Sequence, residues 1–324
     1  MESKKILLVQ LGRIGDLILM TPMFKVLKEA TPANELHLLA GRNNYFLAVE
    51  HPLIDRVHVY NKRLINTIRL IQKLRKEKFD YWIDVKDHHS TESDLLARLS
   101  NAEIKIGFNR NGTATFDYSI LSDVEQMNKH AVERNLAALN YLNFDLAQIN
   151  HRPILHVNEN SEKKLNNFLL LHDIQEYYCI NISATSRSRY WQTEKWINLL
   201  NYLEVRQIKC IIISSPSDSS LVEKIITATR NAFHFITDTI VDVFSVVKHS
   251  KMTITLDTSV IHIAAAYDVP VLGLYGNHPI NYTKYRPLST HHRMVMAPEH
   301  EAPIGEISLD LMCEKYDELA KEIM

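Results

Sequence analysis

The sequence predicts an α/β protein of two Rossmann-like domains, each with a parallel β-sheet, and a ligand-binding cleft between them. A length of 324 residues suits two domains of about 150 residues each. Apolar strand-like runs alternate with amphipathic helical segments in both halves, and such β-α-β repeats give parallel sheets covered on both faces. The alternation pauses at residues 150–153 and then restarts. We therefore predict domains at residues 1–152 and 153–324, with ligands bound in the cleft.

Apolar runs predict the strands of the first half, because buried parallel strands are continuously apolar. These runs are residues 6–9, 36–39, 57–60, 81–85 and 104–108. Apolar residues at helical spacing predict helices over residues 62–78 and 131–142, and a helix that contains Met20, Met23, Phe24 and Leu27. Pro22 implies either a kink in that helix or a start capped by Thr21.

The second half repeats the pattern. Its predicted strands are residues 178–182, 210–213, 252–256 and 271–275. Its predicted helices are residues 193–205, 217–229, 260–267 and 308–323.

Composition and charge exclude several classes of protein. Lysine and arginine number 37 and aspartate and glutamate 38, so the net charge of -1 argues against a dedicated nucleic-acid binder. The cysteines, Cys179, Cys210 and Cys313, form no C-x-x-C pair, which gives no sign of a zinc or redox site. Cys179 and Cys210 lie in apolar strand-like runs, so we expect them to be buried thiols. The N-terminal apolar run is too short for a signal peptide, and no membrane-spanning run follows. We expect a cytoplasmic protein.

The first candidate site follows the first strand. Gly12 and Gly15 allow a tight turn, and Asp16 should project into the ligand crevice, because strand carboxyl ends point there. A dinucleotide fingerprint would need a third glycine. Asp16 is therefore either a functional carboxylate or the cap of the following helix.

A second candidate site joins a strand to a helix at Asp257, Thr258 and Ser259. Backbone amides at a helix N-terminus and the two hydroxyls suit an anionic phosphate, and His262 lies in the first turn. The alternative is an ordinary capped helix with His262 packed against the sheet.

The third candidate site is the loop after the first strand of the second half. It carries Thr185, Ser186, Arg187 and Arg189, and arginine contacts phosphate oxygens in bidentate fashion. A solvated loop is the alternative, but placement opposite the Asp257 turn favours a diphosphate site.

Two weaker features concern other partners. Asp87 and His88 follow another strand and should contact an acceptor, as should Arg13. The helix at 62–78 has seven basic residues beside a stripe of Leu64, Ile68, Ile71 and Leu74. It is either a surface that rests on an anionic membrane or simply a solvated face.

Taken together, these residues resemble glycosyltransferase family 9, the lipopolysaccharide heptosyltransferases. The likeness is carried, in order, by residues 5–9, Gly15, Asp16, Thr21, Pro22, Ile83, Asp84, 96–99, 106–108, 132–135, 257–259, His262, Ala264, Ala265, Pro270 and 274–276. The resemblance implies a GT-B fold and metal-independent, inverting transfer from an ADP-heptose donor to a lipid A–core glycolipid. It also implies that the donor binds mainly in the second domain and the acceptor in the first. The absence of Asp-x-Asp agrees with chemistry that needs no metal cofactor.

The resemblance also implies roles for single residues. The family's catalytic base falls on Asp16, and its ribose-binding acid falls on Asp218. Its diphosphate site falls on Thr258, Ser259, Thr185, Ser186 and a basic residue that precedes a tryptophan. That basic residue is lysine in well-known members and is Arg189 or Arg187 here, and Ser259 replaces the family's usual glycine.

Three alternatives remain open at the level of sequence. The chain transfers another sugar to a surface glycan, or is a nucleotide-sugar 2-epimerase, or binds a nucleotide sugar without catalysis. An epimerase needs no acceptor, and a binding protein has no need of an acid at Asp16. The missing third glycine argues against a dehydrogenase.

Overall fold

The computed structural model describes residues 3–110, 114–142 and 149–323. The chain divides into two compact units, Met1–Ile154 (unit 1) and Leu155–Met324 (unit 2). Each unit contains one six-stranded sheet, and every strand pair in both sheets is parallel. This α/β architecture, with a parallel sheet in each unit, is the one that the alternating pattern predicts.

Unit 1 alternates strands and helices. Its strands are β1 (Lys5–Gln10), β2 (Glu35–Gly41), β3 (Arg56–Tyr60), β4 (Tyr81–Asp84), β5 (Ile104–Gly107) and β6 (Tyr118–Ser119). Its helices are α1 (Ile14–Ile18), α2 (Thr21–Ala30), α3 (Leu64–Glu77), α4 (Thr91–Leu99) and α5 (Ala131–Ala137).

Unit 2 has the same alternation. Its strands are β7 (Tyr178–Asn181), β8 (Cys210–Ile213), β9 (Ala232–His234), β10 (Met252–Leu256), β11 (Val271–Tyr275) and β12 (His292–Met296). Its helices are α6 (Glu159–Leu171), α7 (Thr193–Glu204), α8 (Ser219–Thr227), α9 (Ile240–Lys248), α10 (Ser259–Ala266), α11 (Pro279–Tyr285) and α12 (Leu309–Ile323). No helix in the described part of the chain is long and apolar enough to cross a membrane.

Strand order decides where ligands can bind. The order is β3-β2-β1-β4-β5-β6 in unit 1 and β9-β8-β7-β10-β11-β12 in unit 2. The order therefore reverses between β1 and β4 in one sheet and between β7 and β10 in the other. In open parallel sheets, ligands bind at the carboxyl ends of the strands that flank this switch point. The loops after β1 and β4, and those after β7 and β10, are thus the expected ligand-binding loops.

Each sheet is buried between apolar helix faces. In unit 1, Leu7, Leu39 and Trp82 lie in one cluster with residues of α3 and α4. In unit 2, the buried cluster includes strand, α7 and α12 residues around Ile180 and Trp196. Cys179 and Cys210 are fully buried, and burial raises the pKa of both thiols. They act as small apolar side chains, as predicted.

The first helical region differs from the predicted one. Gly15 lies inside the short helix α1 rather than in a loop. Thr21 is the first residue of α2 and does not cap it; its hydroxyl donates to the carbonyl of Ile18 at 2.7 Å. Pro22 follows at the second position, where no backbone N–H is needed.

Helix α3 differs most from its predicted packing. Of the expected apolar stripe, Leu74 is buried and Ile71 is partly buried, whereas Leu64 and Ile68 are exposed. Leu70, which was not part of the predicted stripe, is also buried. Only the second half of the helix covers the sheet.

Candidate functional site

The loop after β1 places Asp16 at the switch point of unit 1. Asp16 is the third residue of α1, and its Oδ2 accepts the backbone N–H of Arg13 at 2.9 Å. The carboxylate therefore caps its own helix, as one of the two interpretations expected. Its Oδ1 has no hydrogen-bond partner within residues 3–110, 114–142 and 149–323, and the side chain is partly exposed. Capping uses one oxygen, so the second can still accept a proton.

Gly12 makes room for this carboxylate. A Cβ at position 12 would lie 2.7 Å from Asp16 Oδ2 and 2.8 Å from Gln10 Oε1. Gln10 Oε1 in turn accepts the N–H of Gly12 at 2.9 Å. A side chain at position 12 would therefore push the Asp16 carboxylate and the Gln10 amide out of their present positions.

The loop after β4 holds a buried ion pair. Asp87 Oδ2 accepts from Arg134 Nη1 at 2.9 Å, and both side chains are almost fully buried. Arg134 also pairs with Asp123 and donates to the carbonyl of Lys129. His88 is largely exposed, with its Nδ1 3.1 Å from Asp87 Oδ1. Asp87 thus fixes the loop through Arg134 and, being buried, is not placed to contact an acceptor as predicted. His88 in this loop and Arg13 in the loop after β1 are exposed to a ligand.

Asn181 connects the two switch-point strands of unit 2. This buried residue ends β7, and its Nδ2 donates to Thr255 Oγ1 at 2.9 Å and Thr258 Oγ1 at 3.0 Å. Thr258 Oγ1 also accepts the N–H of Val260 at 3.4 Å and so caps α10. The amide therefore holds the N-terminus of α10 in register with β7. The role of Asn181 has no signal in the sequence, because its partners lie more than 70 residues away along the chain.

Arg189 reaches the turn after β10. Its Nη1 donates to the Asp257 carbonyl at 2.9 Å and lies 3.4 Å from Asp257 Oδ2. Its Nε and Nη2 make no hydrogen bond with the described part of the chain, and the side chain is about one third exposed at 31%. A guanidinium with unused donors thus lies beside the N-terminus of α10. Both features attract anions.

The other predicted diphosphate residues are distributed around this point. Thr185, Ser186 and Arg187 are exposed, and Ser186 Oγ lies 2.9 Å from Ser188 Oγ. Ser259 is the first residue of α10 and is partly exposed. His262 is buried in the first turn, with its ring centroid 6.2 Å from that of Tyr285. The structure therefore packs His262 into unit 2 and leaves the hydroxyls and Arg187 accessible.

Asp218 belongs to a polar cluster beside the same strands. Its Oδ2 accepts from Ser183 Oγ at 2.5 Å and from Tyr190 OH at 2.9 Å. Ser183 Oγ accepts the N–H of Ser215 at 2.8 Å. Burial, and then the bond to Asp218, raise the pKa of Tyr190, so the phenol remains a donor. The cluster joins the loop after β8 to the loop after β7, which sequence spacing alone did not indicate.

One group in the described residues has the composition of a metal site. His37, His58 and Glu77 each offer a ligand atom within 4.8 Å of the others. His37 Nδ1 and His58 Nε2 are 3.0 Å apart, but Lys5 and Arg56 already pair with Glu77. Burial lowers the pKa of His58 to about 3 and also lowers that of His37. The group is best explained as a neutral histidine pair inside unit 1.

Comparison with known proteins places this arrangement in a family. A family model described as glycosyltransferase family 9 (heptosyltransferase) matches residues 67–308, more than half of the chain. The chain is 25% identical to lipopolysaccharide heptosyltransferase 3 of Escherichia coli K12 over 285 residues, covering 81% of this chain and 79% of that protein.

Solved structures show the same fold. A family 9 glycosyltransferase from Veillonella parvula has a TM-score of 0.86 at 17% identity, covering 99% of this chain and 98% of that one. The E. coli heptosyltransferase WaaC with ADP-2-deoxy-2-fluoro heptose has a TM-score of 0.77 at 17% identity, with 97% and 99% covered. The fold is thus GT-B-like, and the chain belongs to glycosyltransferase family 9 and is a glycosyltransferase.

Proposed function

We propose that this enzyme transfers a heptose from an ADP-heptose-type donor to a lipopolysaccharide core acceptor, with inversion and without a metal ion. The observation that carries the proposal is the position of Arg189 beside the N-terminus of α10, at the switch point of unit 2. The family and the E. coli relatives support the sugar and the acceptor class.

Unit 2 offers the chemistry that a nucleoside diphosphate needs. The leaving diphosphate gains negative charge as the glycosidic bond breaks, and oriented amides and arginine stabilise such charge. Arg189 supplies unused N–H donors, and exposed Thr185, Ser186 and Arg187 lie on the same loop. We assign Thr258 and Ser259 to the phosphates and Asp218 to the ribose. A cation held by the chain itself thus takes the place of a divalent metal.

Asp16 is the proposed general base. Its Oδ1 takes the proton from an acceptor hydroxyl, whose oxygen forms a bond to the anomeric carbon while the bond to the diphosphate oxygen breaks. Direct displacement of this kind inverts the anomeric centre. The N–H of Arg13 holds Oδ2 and so fixes the direction of the other oxygen. His88 and Arg13 are exposed and are proposed to contact the acceptor, while Asp87 orients the loop after β4 that carries His88. Because this acceptor is a glycolipid, we also propose peripheral association with the cytoplasmic face of the inner membrane.

The decisive experiment replaces Asp16 with asparagine. Asp16→Asn should lower the turnover of heptosyl transfer by about 10² to 10⁴-fold, because a general base contributes that much. ADP affinity measured by calorimetry should remain close to that of the parent. Asp117→Asn is the matched control, since exposed Asp117 also accepts a backbone N–H, that of Lys105 at 2.7 Å.

Two outcomes would contradict the proposal. Near-normal turnover of Asp16→Asn would remove the assigned base. Isomerisation of the donor without any acceptor would identify an epimerase instead. A thermal-shift comparison of ADP-, UDP-, GDP- and CMP-sugars tests the donor separately, because only a ligand of the folded state raises its stability.

A further inference from the structure

Helix α3 exposes large aliphatic side chains at its N-terminal end. Leu64, Ile65 and Ile68 are 76%, 65% and 48% exposed, and all lie within the first five residues of the helix. The same helix buries Leu70 and Leu74 further along. The helix thus carries a solvent-exposed apolar patch in addition to its buried face. Such patches are typical of surfaces that bind another molecule or a membrane.

Basic side chains surround these aliphatic residues. Arg63 precedes the helix, and the exposed basic side chains within it are Arg69, Lys73, Arg75 and Lys76. None of these five has a carboxylate partner within the described ranges of the chain. The whole chain has a net charge of -1, so this concentration of unpaired positive charge is local.

The two kinds of residue are arranged along the helix axis. The aliphatic residues occupy its first turns and the basic ones mainly its later turns, on the same exposed side. Helix α3 begins just after β3, and the carboxyl ends of all parallel strands of unit 1 meet at one sheet edge. The loop of Asp16 leaves β1 at that edge. The apolar end of α3 is thus at the edge of unit 1 that carries Asp16.

We propose that this face of α3 docks on an anionic phospholipid bilayer. Leu64, Ile65 and Ile68 insert below the headgroups, and the arginines and lysines contact the lipid phosphates. Charge complementarity selects the bilayer over a second copy of the chain, because two such faces would bring like charges together. This face of α3 is the surface for the membrane association in the proposed function. The biological role of the docking rests on that function, but the exposed aliphatic and basic residues do not.

The test measures binding of the full chain to vesicles, without donor or acceptor. Vesicles of phosphatidylglycerol mixed with phosphatidylcholine should sediment the protein, and phosphatidylcholine alone should do so far less. Added salt should weaken the binding, because it screens the attraction to the anionic surface. No binding of the parent protein to the anionic vesicles would overturn the proposal.

Variants then identify the surface. Leu64→Ser, Ile65→Ser and Ile68→Ser should each lower the partition coefficient about tenfold, because each removes most of a buried aliphatic side chain. Arg69→Gln and Lys73→Gln should each lower it about fivefold. A variant that combines the three serine substitutions should still fold, because the replaced side chains are exposed. Circular dichroism checks this.

The matched control is Leu170→Ser with Leu171→Ser in α6. These leucines are more exposed than the aliphatic residues of α3, but the nearby cations Lys163 and Lys164 are paired with carboxylates. Their replacement should leave vesicle binding unchanged. Equal loss in both variants would show non-specific hydrophobic adsorption and contradict the assignment to α3.

Two further readouts separate the alternatives. If the parent sediments as a dimer in solution and the α3 variants as monomers, a second copy covers the face and the bilayer proposal fails. Transfer to a delipidated, water-soluble acceptor should be unchanged in the α3 variants. Vesicle binding without any heptosyl transfer would leave the α3 proposal standing and refute the proposed function alone.

Discussion

At the scale of single residues, the best-defined geometry surrounds Asp16. One oxygen is held by the Arg13 N–H, and the space beside it exists only because residue 12 has no Cβ. The sequence predicted the position of Asp16 after the first strand but left its two roles as alternatives. The structure shows that capping and an available second oxygen coexist in one side chain. The glycine at position 12 is thus explained by the space that the Asp16 carboxylate occupies.

A methyl group at Gly12 tests this geometry. Gly12→Ala should lower turnover at least tenfold, because the new Cβ would approach Asp16 Oδ2 to 2.7 Å and displace the carboxylate. Stability should change by only about 1 kcal/mol, since side-chain ends can shift. Steady-state kinetics and thermal unfolding measure the two effects.

The control for this variant is Gly305→Ala. A Cβ at position 305 would lie 3.5 Å from its nearest neighbours, Gln192 Nε2 and the Tyr190 carbonyl oxygen, which is ordinary van der Waals contact. Turnover should stay within about twofold of the parent if contact distance decides the outcome. Unchanged turnover in Gly12→Ala would show that Asp16 tolerates displacement and would weaken its assignment as the base.

At the scale of elements, the sequence predicted most buried strands and missed short or marginal ones. Continuous apolar runs predicted the central strands, whereas β6, β9 and β12 were missed. Strands β6 and β9 have only two and three residues, and β12 begins with the polar His292 and Arg293. Helices α4, α6, α9 and α11 were also missed, and the apolar, β-branched residues of α9 also suit a strand. Strand order was beyond prediction, since pairing of β7 with β10 joins segments that are distant in sequence. Asn181, the residue that connects these two strands, was missed for the same reason.

The Asn181 connection can be measured by a double-mutant cycle. Asn181→Leu should lower the free energy of unfolding by about 1 to 3 kcal/mol, because it leaves buried hydroxyls without their donor. Thr255→Val removes one of the acceptors of the amide. The two effects should be less than additive, with a coupling of about 0.5 to 1.5 kcal/mol, in urea unfolding of both singles and the double. Strict additivity would show that the amide does not stabilise the β7–β10 pair.

At the scale of the whole molecule, buried histidines link stability to pH. Burial lowers the pKa of His58 to about 3, whereas the unfolded chain titrates near the ordinary value of 6.5. Below about pH 6.5 the unfolded state therefore binds a proton that the native state does not. The free energy of unfolding should fall on acidification by up to about 1.4 kcal/mol per pH unit from this residue, down to about pH 3.

His58→Gln should flatten this dependence. Glutamine does not titrate at these pH values. Its side-chain amide can still donate an N–H to His37 Nδ1, which lies 3.0 Å from His58 Nε2 in the parent. Hydrogen exchange of β2 and β3 amides across the pH range measures the slope in unit 1. The exposed His89→Gln is the control and should keep the slope of the parent. An unchanged slope in His58→Gln would assign the acid sensitivity to other groups.

The division of the chain at residues 154 and 155 has an evolutionary consequence. Each unit has its own six-stranded sheet in the described part of the chain, so substitutions that reshape one sheet need not disturb the packing of the other. With donor recognition proposed for the later half and acceptor recognition for the earlier half, the two specificities can diverge independently. Descendants could acquire a new glycan target while retaining the ancestral activated sugar, and chimeras that exchange whole halves would inherit one preference from each parent.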